Sequence, residues 1–347
     1  MEKPFPSSVE TSPAEGEGGL RGRSTIHDVA TLAGVSIATA SKALNGGGRM
    51  RDETRERVRR AAQDLGFRPN ALARSLLSQR SFTVGLLTDD TYGRFTLPVM
   101  TGLTEGLIDQ GVSVFLCSIE DNPDLGRLHV DAMLDKRVEG IVATGRRVDR
   151  RLPVPVIHVL SEGPEGAVTL LPDEEQGAGL AVAHLLGQGR RRVLHVTGPE
   201  SFRVVRERAR AYAATLAAAG LEPPAPMYGR WSEGWGHEAV AAAWDQDPAP
   251  DAIFCGNDQI ARGVVDALRE RGVRVPEDVA VVGFDNWEVV ARETRPPLSS
   301  VDMNLKELGR QAGLTLLSMI AGSHVPPGIR ALPCTLRVRR SSGGGPG

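Results

Sequence analysis

The stretch from Ser24 to Asn45 reads S-T-I-H-D-V-A-T-L-A-G-V-S-I-A-T-A-S-K-A-L-N, and its first part predicts a short capped helix. Thr25 is a typical N-cap residue, and Asp28 stands where a capping box places its acid. Apolar residues then recur at helical spacing over about 26–33. Gly34 ends this helix and permits a tight turn.

Two more helices are predicted directly after that turn. Ser36 caps a helix over about 37–44, and Asp52 is predicted to cap another that runs to about Leu65. Two short helices around an A-G-V-S turn form a helix-turn-helix unit, and in such units the second helix lies in the major groove of DNA. The alternative interpretation is a three-helix module that binds protein.

The second helix and its flanks carry side chains that suit contacts with DNA. Ile37 and Ala38 offer apolar contact, for instance to a thymine methyl group, and Lys42 can donate to guanine acceptors. Ser41 joins them among the residues that meet base edges. Short donors and cations placed for phosphates are Ser36, Thr39, Asn45, Arg49 and Thr54.

The charge of this region supports the same interpretation. Residues 21–80 hold twelve Lys or Arg against five Asp or Glu, whereas the whole chain has a formal net charge of −2. A basic module on a near-neutral protein is typical of nucleic-acid binding, because its cations neutralise phosphates.

The segment F-R-P-N-A-L-A-R-S-L-L, which begins at Phe67, predicts a short hinge helix over about 71–77 that Asn70 caps. Two helical turns alone are not stable in water. We therefore expect the segment to be disordered off DNA and helical on it, with Leu76 wedged into a minor-groove step. A plain linker helix is the alternative.

After Phe82, apolar strand-like runs alternate with helical stretches. The runs T-V-G-L-L-T-D, V-S-V-F-L-C-S, E-G-I-V-A-T-G and V-P-V-I-H-V-L form a first series, and a second series begins with A-V-T-L-L. This alternation predicts parallel sheets with helical crossovers. The expected fold is an all-α helix-turn-helix head followed by an α/β body of two doubly wound parallel-sheet lobes, with a ligand crevice at the carboxyl ends of the strands.

Polar and aromatic residues at predicted strand ends suit a site for a polyol. A carboxylate or amide pairs with vicinal hydroxyls, an arginine bridges ring oxygens, and an aromatic face stacks on a sugar ring. The candidates at strand ends are Asp89, Asn257 and Asp285, and they are joined by Arg208 in a predicted helix and Trp231 in the stretch G-R-W-S. Each of three has a structural alternative: Asn257 as a helix cap, Asp285 as a turn residue and Trp231 as core packing.

The head resembles the lactose and galactose repressor (LacI/GalR) family. The residues that carry the resemblance are T-I-H-D-V-A, A-G-V-S-x-x-T-x-S-K-A-L-N, T-R-E-R-V and L-G-F-R-P-N-A-L-A-R-S-L, and the similarity continues to about Arg340. The resemblance implies a periplasmic-binding-protein-like body and a dimeric repressor whose paired hinge helices enter the minor groove at the centre of an operator.

The resemblance also assigns roles to particular residues. It implies that Leu76 intercalates, that Asn70 and Ala73 line the hinge, and that His27 approaches the DNA backbone, with Thr25 among the DNA contacts. Effector positions of the family fall on Asp89, Arg208, Trp231, Asn257 and Asp285, and Phe95 lies in the loop that often covers the ligand. Ala40 departs from the family, which usually has a larger apolar residue there, and predicts looser packing beneath the second helix.

The expected domain boundaries combine composition with the resemblance. They are a disordered tail at 1–20, a helix-turn-helix domain at 21–68, a hinge helix at 69–80, a two-lobed body at 81–340 and a disordered tail at 341–347. The chain is expected to cross between the lobes near 159–161, 301–304 and 328–331. The N-lobe is then about 82–159 and 304–328, and the C-lobe about 160–302 and 329–340.

The composition and motifs of the chain argue against several other classes of protein. The chain has 347 residues, 41% of them hydrophobic, and three scattered cysteines without metal or redox spacing. It lacks an apolar run of about 18 residues for a membrane span, and its N-terminus lacks the apolar region of a secretory signal, so we expect a cytoplasmic protein. No arrangement for nucleophilic catalysis or phosphate cradling is evident, so no enzyme activity, cofactor or metal is expected.

These features together predict a homodimeric repressor of carbohydrate-utilisation genes. Two heads read the halves of a palindromic operator, and a small sugar-like effector in the crevice changes operator affinity by shifting the lobes. An inducer is favoured over a corepressor. Two alternatives remain: a transport-type solute-binding protein, which needs a signal peptide and has no use for the head, and a cytosolic sugar enzyme.

Overall fold

A computed structural model describes residues 24–44, 50–67, 80–90, 92–119, 123–145, 147–244 and 249–343. The chain divides into two compact units at Arg80, a head and a body, which are taken in turn. Among the described residues, every helix falls short of the length and apolarity that a membrane crossing requires.

The head contains the three predicted helices, α1 (Ile26–Ala33), α2 (Ile37–Leu44) and α3 (Asp52–Asp64). The capping box at the start of α1 is confirmed, since the Asp28 carboxylate accepts from the Thr25 N–H at 2.7 Å and Thr25 Oγ1 accepts in return. The predicted cap of α3 is wrong. Arg51 holds the N-cap position and Asp52 is the first helical residue, where its charge favours the helix dipole instead.

Small side chains fill the core of the head. Its fully buried members are Val29, Ala30, Ala33, Ala40, Ala43, Val58, Ala61 and Ala62. Ala40 is 0% exposed and belongs to this core, and looser packing around it stays a prediction. Two hydrogen bonds reinforce the core. Arg57 Nε of α3 donates to the Ala33 carbonyl of α1 at 2.9 Å, and Ser24 Oγ, before α1, donates to the Leu65 carbonyl, after α3, at 2.8 Å.

The body alternates strands and helices along the chain. Its strands are β1 (Thr83–Thr88), β2 (Ser113–Ser118), β3 (Ile141–Thr144), β4 (Val156–Val159), β5 (Val168–Pro172), β6 (Val193–Thr197), β7 (Met227–Tyr228), β8 (Ala252–Cys255), β9 (Ala280–Asp285), β10 (Ser299–Asp302), β11 (Gly328–Leu332) and β12 (Thr335–Arg337). Its helices are α4 (Thr96–Leu107), α5 (Pro123–Asp135), α6 (Glu174–Gly187), α7 (Arg203–Ala218), α8 (Glu233–Trp244), α9 (Asp258–Glu270), α10 (Glu288–Ala291) and α11 (Leu305–Ile320).

Two six-stranded sheets define two lobes. The first lobe has the order β11-β5-β4-β3-β1-β2 and the second has β12-β10-β9-β8-β6-β7. All pairings are parallel except that of β10 with β12, which is antiparallel. The predicted two-lobed α/β fold is confirmed, and helices cover both faces of each sheet, as buried parallel strands require.

Two of the three expected lobe crossings were misplaced. Strand β5 pairs with β4 in the first sheet, so the chain first crosses near Asp173 and not near 159–161. Strand β11 pairs with β5 in the same sheet, so the last crossing lies at 333–334 and not near 328–331. The middle crossing follows β10, as expected. The errors have one cause: an apolar run does not encode which sheet edge its backbone joins.

The three crossing segments are bonded to one another. The Asp173 N–H donates to the Leu332 carbonyl at 2.8 Å, and Asn304 Nδ2 donates to the Pro333 carbonyl at 2.7 Å. The buried Cys334 N–H donates to Gln176 Oε1 at 2.9 Å. These contacts make the connection between the lobes a single hydrogen-bonded hinge.

The C-terminal segment is ordered further than predicted. Residues Arg340–Ser342 form a 3-10 turn, and Ser341 and Ser342 are buried. Ser341 Oγ accepts from the Ser299 N–H at 2.8 Å and donates to the Val281 carbonyl at 2.7 Å. The expectation of disorder from 341 is therefore wrong through Gly343, because these serines satisfy backbone groups of the second sheet. The predicted tail at 1–20 and residues 344–347 lie outside the described residues.

Glycine allows two helices of the first lobe to touch through their backbones. A β-carbon at Gly309 of α11 would fall on the Val99 carbonyl of α4, and one at Gly102 would fall on the Lys306 carbonyl. The contact fixes α11 against α4 directly after the middle crossing.

We expect Gly309→Ala to lower the free energy of unfolding by about 1–3 kcal/mol, because the methyl group overpacks this contact. The matched control is Gly179→Ala in α6, where the nearest atom is 3.7 Å from the added carbon. That change is expected to raise stability by about 0.5–1 kcal/mol. Denaturant unfolding measures both, and equal effects would contradict the close helix contact.

Candidate functional site

The start of α2 presents an exposed face on the head. Ile37 is 48% exposed, and Ala38 and Lys42 are also exposed. An apolar side chain of this size costs solvation free energy unless a partner covers it. The face thus combines apolar contact with a cation, which is the chemistry predicted for base edges.

The other DNA-contact candidates within the described residues differ in their exposure to solvent. Thr25, His27 and Ser36 are exposed, whereas Thr39, Ser41 and Thr54 are half-buried. Ser36 has a structural role as well, since its Oγ accepts from the Thr39 N–H at 3.1 Å and so caps α2 as predicted. The remaining candidates, Asn45, Arg49, Asn70, Ala73 and Leu76, lie outside the described residues.

A cavity of about 590 Å³ lies between the lobes of the body, where the carboxyl ends of both sheets meet. This volume is in the range of small-molecule sites. The structure brings all six candidates for effector binding to its wall: Asp89, Phe95, Arg208, Trp231, Asn257 and Asp285.

Several wall residues were missed by sequence reasoning. They are Arg94, Ser161, Glu162, Glu174, Phe202 and Arg203, together with Thr88 and Thr144 at strand ends. Glu174 carries a signal, because it opens a helix directly after a strand end. Arg94 carries none, since nothing in a loop sequence shows which lobe its side chain enters. Ser161 Oγ is buried without a hydrogen-bond partner in the described part of the chain, which leaves it available to a ligand.

A Thr-Gly pair ends one wall strand in each lobe and makes room for a candidate side chain. Gly145 has a φ of 73°, and a β-carbon there would fall on the Asp89 carboxylate. A β-carbon at Gly198 would fall on the Trp231 ring. The ring also meets Phe202 edge-on at 6.1 Å between centroids. Trp231 therefore has packing partners and also lines the cavity.

Arg208 is held by the protein itself. Its Nε and Nη2 each donate to Glu174 Oε2 at 2.7 Å, and its Nη1 donates to the Gly256 carbonyl at 2.6 Å. Its guanidinium carbon lies 3.6 Å from the centre of the Phe284 ring. Burial raises the pKa of Glu174, and the Arg208 charge opposes that rise. The arginine is thus rigidly oriented, with two of its five N–H donors left for other partners.

Asp285 joins this arginine to a second one. Its Oδ1 lies 3.8 Å from Arg208 Nη2, and its Oδ2 forms an ion pair with Arg94. Asp285 has a φ of 97° and Asn286 a φ of 49°, so the chain adopts two left-handed residues at the end of β9. Such backbone strain is typical of sites where the surrounding structure fixes a side chain for a purpose. Asp285 is therefore both a turn residue and part of the cavity wall.

Asn257 caps α9 and also lines the cavity, since its Oδ1 accepts from the Ile260 N–H at 2.8 Å. The next residue, Asp258, is fully buried behind the wall. Its carboxylate accepts from Ser300 Oγ at 2.5 Å and from the Trp287 N–H at 2.6 Å. Burial raises the pKa of Asp258 to about 7, although both hydrogen bonds act to lower it.

This pKa predicts a pH-dependent stability. The folded protein holds a proton on Asp258 up to about pH 7, whereas the unfolded chain releases it near 3.8, so stability from this group is lost as pH rises through 7. Asp258→Asn should remove that loss, because the amide keeps one acceptor for Trp287 and can donate to Ser300. The stability of the variant relative to wild type is expected to grow from pH 5 to pH 8.

The matched control for this pH series is Asp278→Asn. Arg274 holds the pKa of the exposed Asp278 at about 2, so its contribution is constant over the same pH interval. Chemical denaturation across the pH series measures both variants. A flat difference for Asp258→Asn would contradict a protonated Asp258.

The cavity wall carries more acids than bases. Its ionisable side chains are five carboxylates, on Asp89, Asp90, Glu162, Glu174 and Asp285, and three guanidiniums, on Arg94, Arg203 and Arg208. Asp90 also has a structural role, because its Oδ2 accepts from two N–H groups at the start of α4. No group of three or more His, Cys, Asp or Glu suited to a metal ion is found within the described ranges.

Two family models match the chain. The model of bacterial regulatory proteins of the lacI family matches residues 25–70. The model of a periplasmic binding protein-like domain matches residues 182–342. The first falls on the head and the second on the body.

Similar proteins include whole-length relatives. Catabolite control protein A of Priestia megaterium is 31% identical over 330 residues, which cover 92% of this chain and 99% of that protein. The HTH-type transcriptional repressor CytR of Escherichia coli strain K12 is 29% identical, with 92% and 96% covered.

Two solved structures share this architecture. The transcriptional regulator CelR in complex with cellobiose is 29% identical, with a TM-score of 0.66 and coverage of 92% of this chain and 100% of that one. The lac repressor dimer bound to operator and the anti-inducer ONPF is 26% identical, with a TM-score of 0.69 and coverage of 92% and 99%.

A helix-turn-helix head on a two-lobed body with a ligand-sized crevice defines a ligand-responsive regulator of transcription. The chain belongs to the LacI family of bacterial regulatory proteins, and it is a DNA-binding transcriptional regulator. The relatives are regulators and not enzymes, so the two alternative classes are not favoured.

Proposed function

We propose that the protein is a cytoplasmic homodimeric repressor of carbohydrate-utilisation genes that binds a palindromic operator and responds to a small sugar in its crevice. One observation carries the effector part: the five residues chosen for polyol chemistry, from segments far apart in the chain, line one cavity together with Phe95. The cellobiose complex of CelR and the operator complex of the lac repressor support the two ligand classes.

The proposed DNA contacts divide into two groups. Base edges are contacted by Ile37, Ala38, Ser41 and Lys42, and the backbone by Thr25, His27, Ser36, Thr39, Asn45, Arg49 and Thr54. Asn70, Ala73 and Leu76 form the hinge in the minor groove.

The charge of the crevice favours a neutral effector. Five carboxylates against three guanidiniums repel a sugar phosphate or a uronate, and the arginines are already paired with acids. Two arginines in the loop after β3, Arg147 and Arg150, do not change this balance. Arg147 pairs with Asp149, and Arg150 with Asp131, on the surface of the first lobe.

An uncovered sheet edge supports the homodimer. Strand β2 is the last strand of the first sheet, and its Phe115 and Leu116 are 36% and 41% exposed. Apolar edge strands are a liability unless a partner covers them. A second copy is the proposed partner, because a two-fold pair of heads is what a palindrome requires.

The operator proposal is tested by selecting genomic fragments on the intact protein. We expect a common palindrome of about 14–20 base pairs, since two heads read successive half-sites about one helical turn apart. If the selected fragments share no palindrome, the proposal that the protein is a repressor is wrong.

Lys42→Met is expected to weaken binding to the selected palindrome by about 1–3 kcal/mol, the range for one good base contact. Nonspecific DNA should be bound almost as before. The matched control is Lys136→Met, an exposed lysine of the body, which should change neither affinity. A fluorescence titration at fixed salt measures both, and equal losses on palindrome and nonspecific DNA would show that Lys42 contacts only phosphates.

The effector site is tested by a paired substitution, because Arg208→Ala alone would leave Glu174 buried without its partner. Arg208→Met combined with Glu174→Gln removes both charges and keeps the volume. This variant is expected to bind the operator as wild type does and to lose its response to the effector found by a thermal-shift screen of neutral mono- and disaccharides. Wild-type coupling is expected to be about 1–3 kcal/mol. If the variant still responds to the effector, Arg208 is not required for effector binding.

A further inference from the structure

The Arg94 side chain leaves the first lobe and ends in the second. The residue lies between β1 and α4, yet its guanidinium pairs with the Asp285 carboxylate and donates to Gln259 Oε1 at 3.1 Å. Its guanidinium carbon also lies 5.4 Å from the centre of the Trp287 ring. All three partners belong to the second lobe, so this one side chain bridges the lobes.

The bridge is buried. The side chains of Arg94 and Asp285 are 12% and 5% exposed. A groove of about 840 Å³ on the outer surface shares Arg94, Phe95 and Asp285 with the cavity wall. The ion pair therefore lies between the cavity and the groove, where both lobes meet.

A second ion pair crosses the crevice at its rim and provides a comparison. Arg203 Nε lies 3.4 Å from Glu162 Oε1, and these side chains are 28% and 50% exposed. Water screens such a pair, so it contributes little to the closed arrangement. The Arg94 pair is less exposed, so water screens its attraction less. Opening the lobes would also break the hydrogen bond to Gln259 and the contact with the Trp287 ring. Of these two contacts, the one at Arg94 dominates the lobe position.

We propose that Arg94 is a clamp that holds the lobes closed in the ligand-free body and occupies Asp285 until an effector displaces it. The displacement rests on the proposed function, because it requires that Asp285 binds the effector. The clamp does not rest on the proposed function, because it involves no ligand. Arg208 already faces the other oxygen of Asp285 at 3.8 Å. A ligand reaches this carboxylate only in open molecules, so the closed fraction lowers its apparent affinity.

The clamp is tested without any ligand by a distance between spin labels on the two lobes of the full chain. Asp135→Cys on α5 and Ala241→Cys on α8 are exposed label sites, whereas the native cysteines are buried. Dilution with unlabelled protein confines each measured distance to one chain. We expect a single short distance for wild type and a longer, broader distribution for Arg94→Gln.

Three further variants make the distance test specific. Arg203→Gln removes the rim pair and should keep the wild-type distance. Arg94→Lys retains the cation and should also keep it. Arg94→Met, which is apolar and of similar length, replaces Arg94→Gln if the amide variant does not fold. A wild-type distance in the folded uncharged variant, or an equal shift with Arg203→Gln, would overturn the clamp.

The displacement is tested by calorimetric titration of neutral mono- and disaccharides, with cellobiose as the first probe. A sugar that binds wild type is expected to bind Arg94→Gln about tenfold more tightly, as when about one molecule in ten is open. Weaker binding to the variant would make Arg94 a ligand contact and overturn the displacement. Sugars that bind neither protein would count against the proposed sugar effector, and the label distances would still decide the clamp.

Discussion

The carboxylate of Asp285 lies between two guanidiniums in a part of the crevice that excludes most water. The side chains of Asp285 and Arg208 are 5% and 4% exposed, and that of Arg94 is 12% exposed. Coulomb interactions are strong in such surroundings, and an unpaired charge is costly. Each of these charges therefore helps to fix the position of the next, from Glu174 at the start of α6 to Arg94, which also donates to Gln259 on α9. These pairs orient the charged side chains of the crevice before any ligand binds.

The backbone around the crevice is shaped to hold this set of charges. Two left-handed residues at the end of β9 turn Asp285 inward, and strand-end glycines leave room for Asp89 and Trp231. The helix cap at Asn257 and the buried carboxyl of Asp258 secure the adjacent loop. The three crossing segments are bonded to one another, which favours movement of one lobe against the other as a body over a local rearrangement of the connections.

The head follows a different physical principle. Its buried core consists of alanine and valine, which bury little apolar area. One capping box, acids in the first turns of α1 and α3 and two hydrogen bonds that link α1 and α3 or the residues beside them add to its stability. Such local devices leave the outer face of α2 free to carry an exposed isoleucine and a lysine. The regulator therefore separates its tasks: a small unit specified by local interactions recognises DNA, and a large unit specified by long-range pairing recognises the effector.

Sequence alone determined what is local. The capping box at Thr25, the helices of the head, the alternation of strands and helices and the wall residues at strand ends were predictable, because caps, periodicity and strand-end chemistry depend on neighbouring residues. Phe95 was predicted only from the family resemblance. Sheet membership was not predictable. Strand β5 joined the first sheet beside β4, β11 joined it by pairing with the distant β5, and Ser341 was ordered by backbone groups of the second sheet. Arg94 shows the limit most clearly. Only the tertiary structure decided that its side chain crosses into the other lobe, because that depends on where a distant carboxylate is buried.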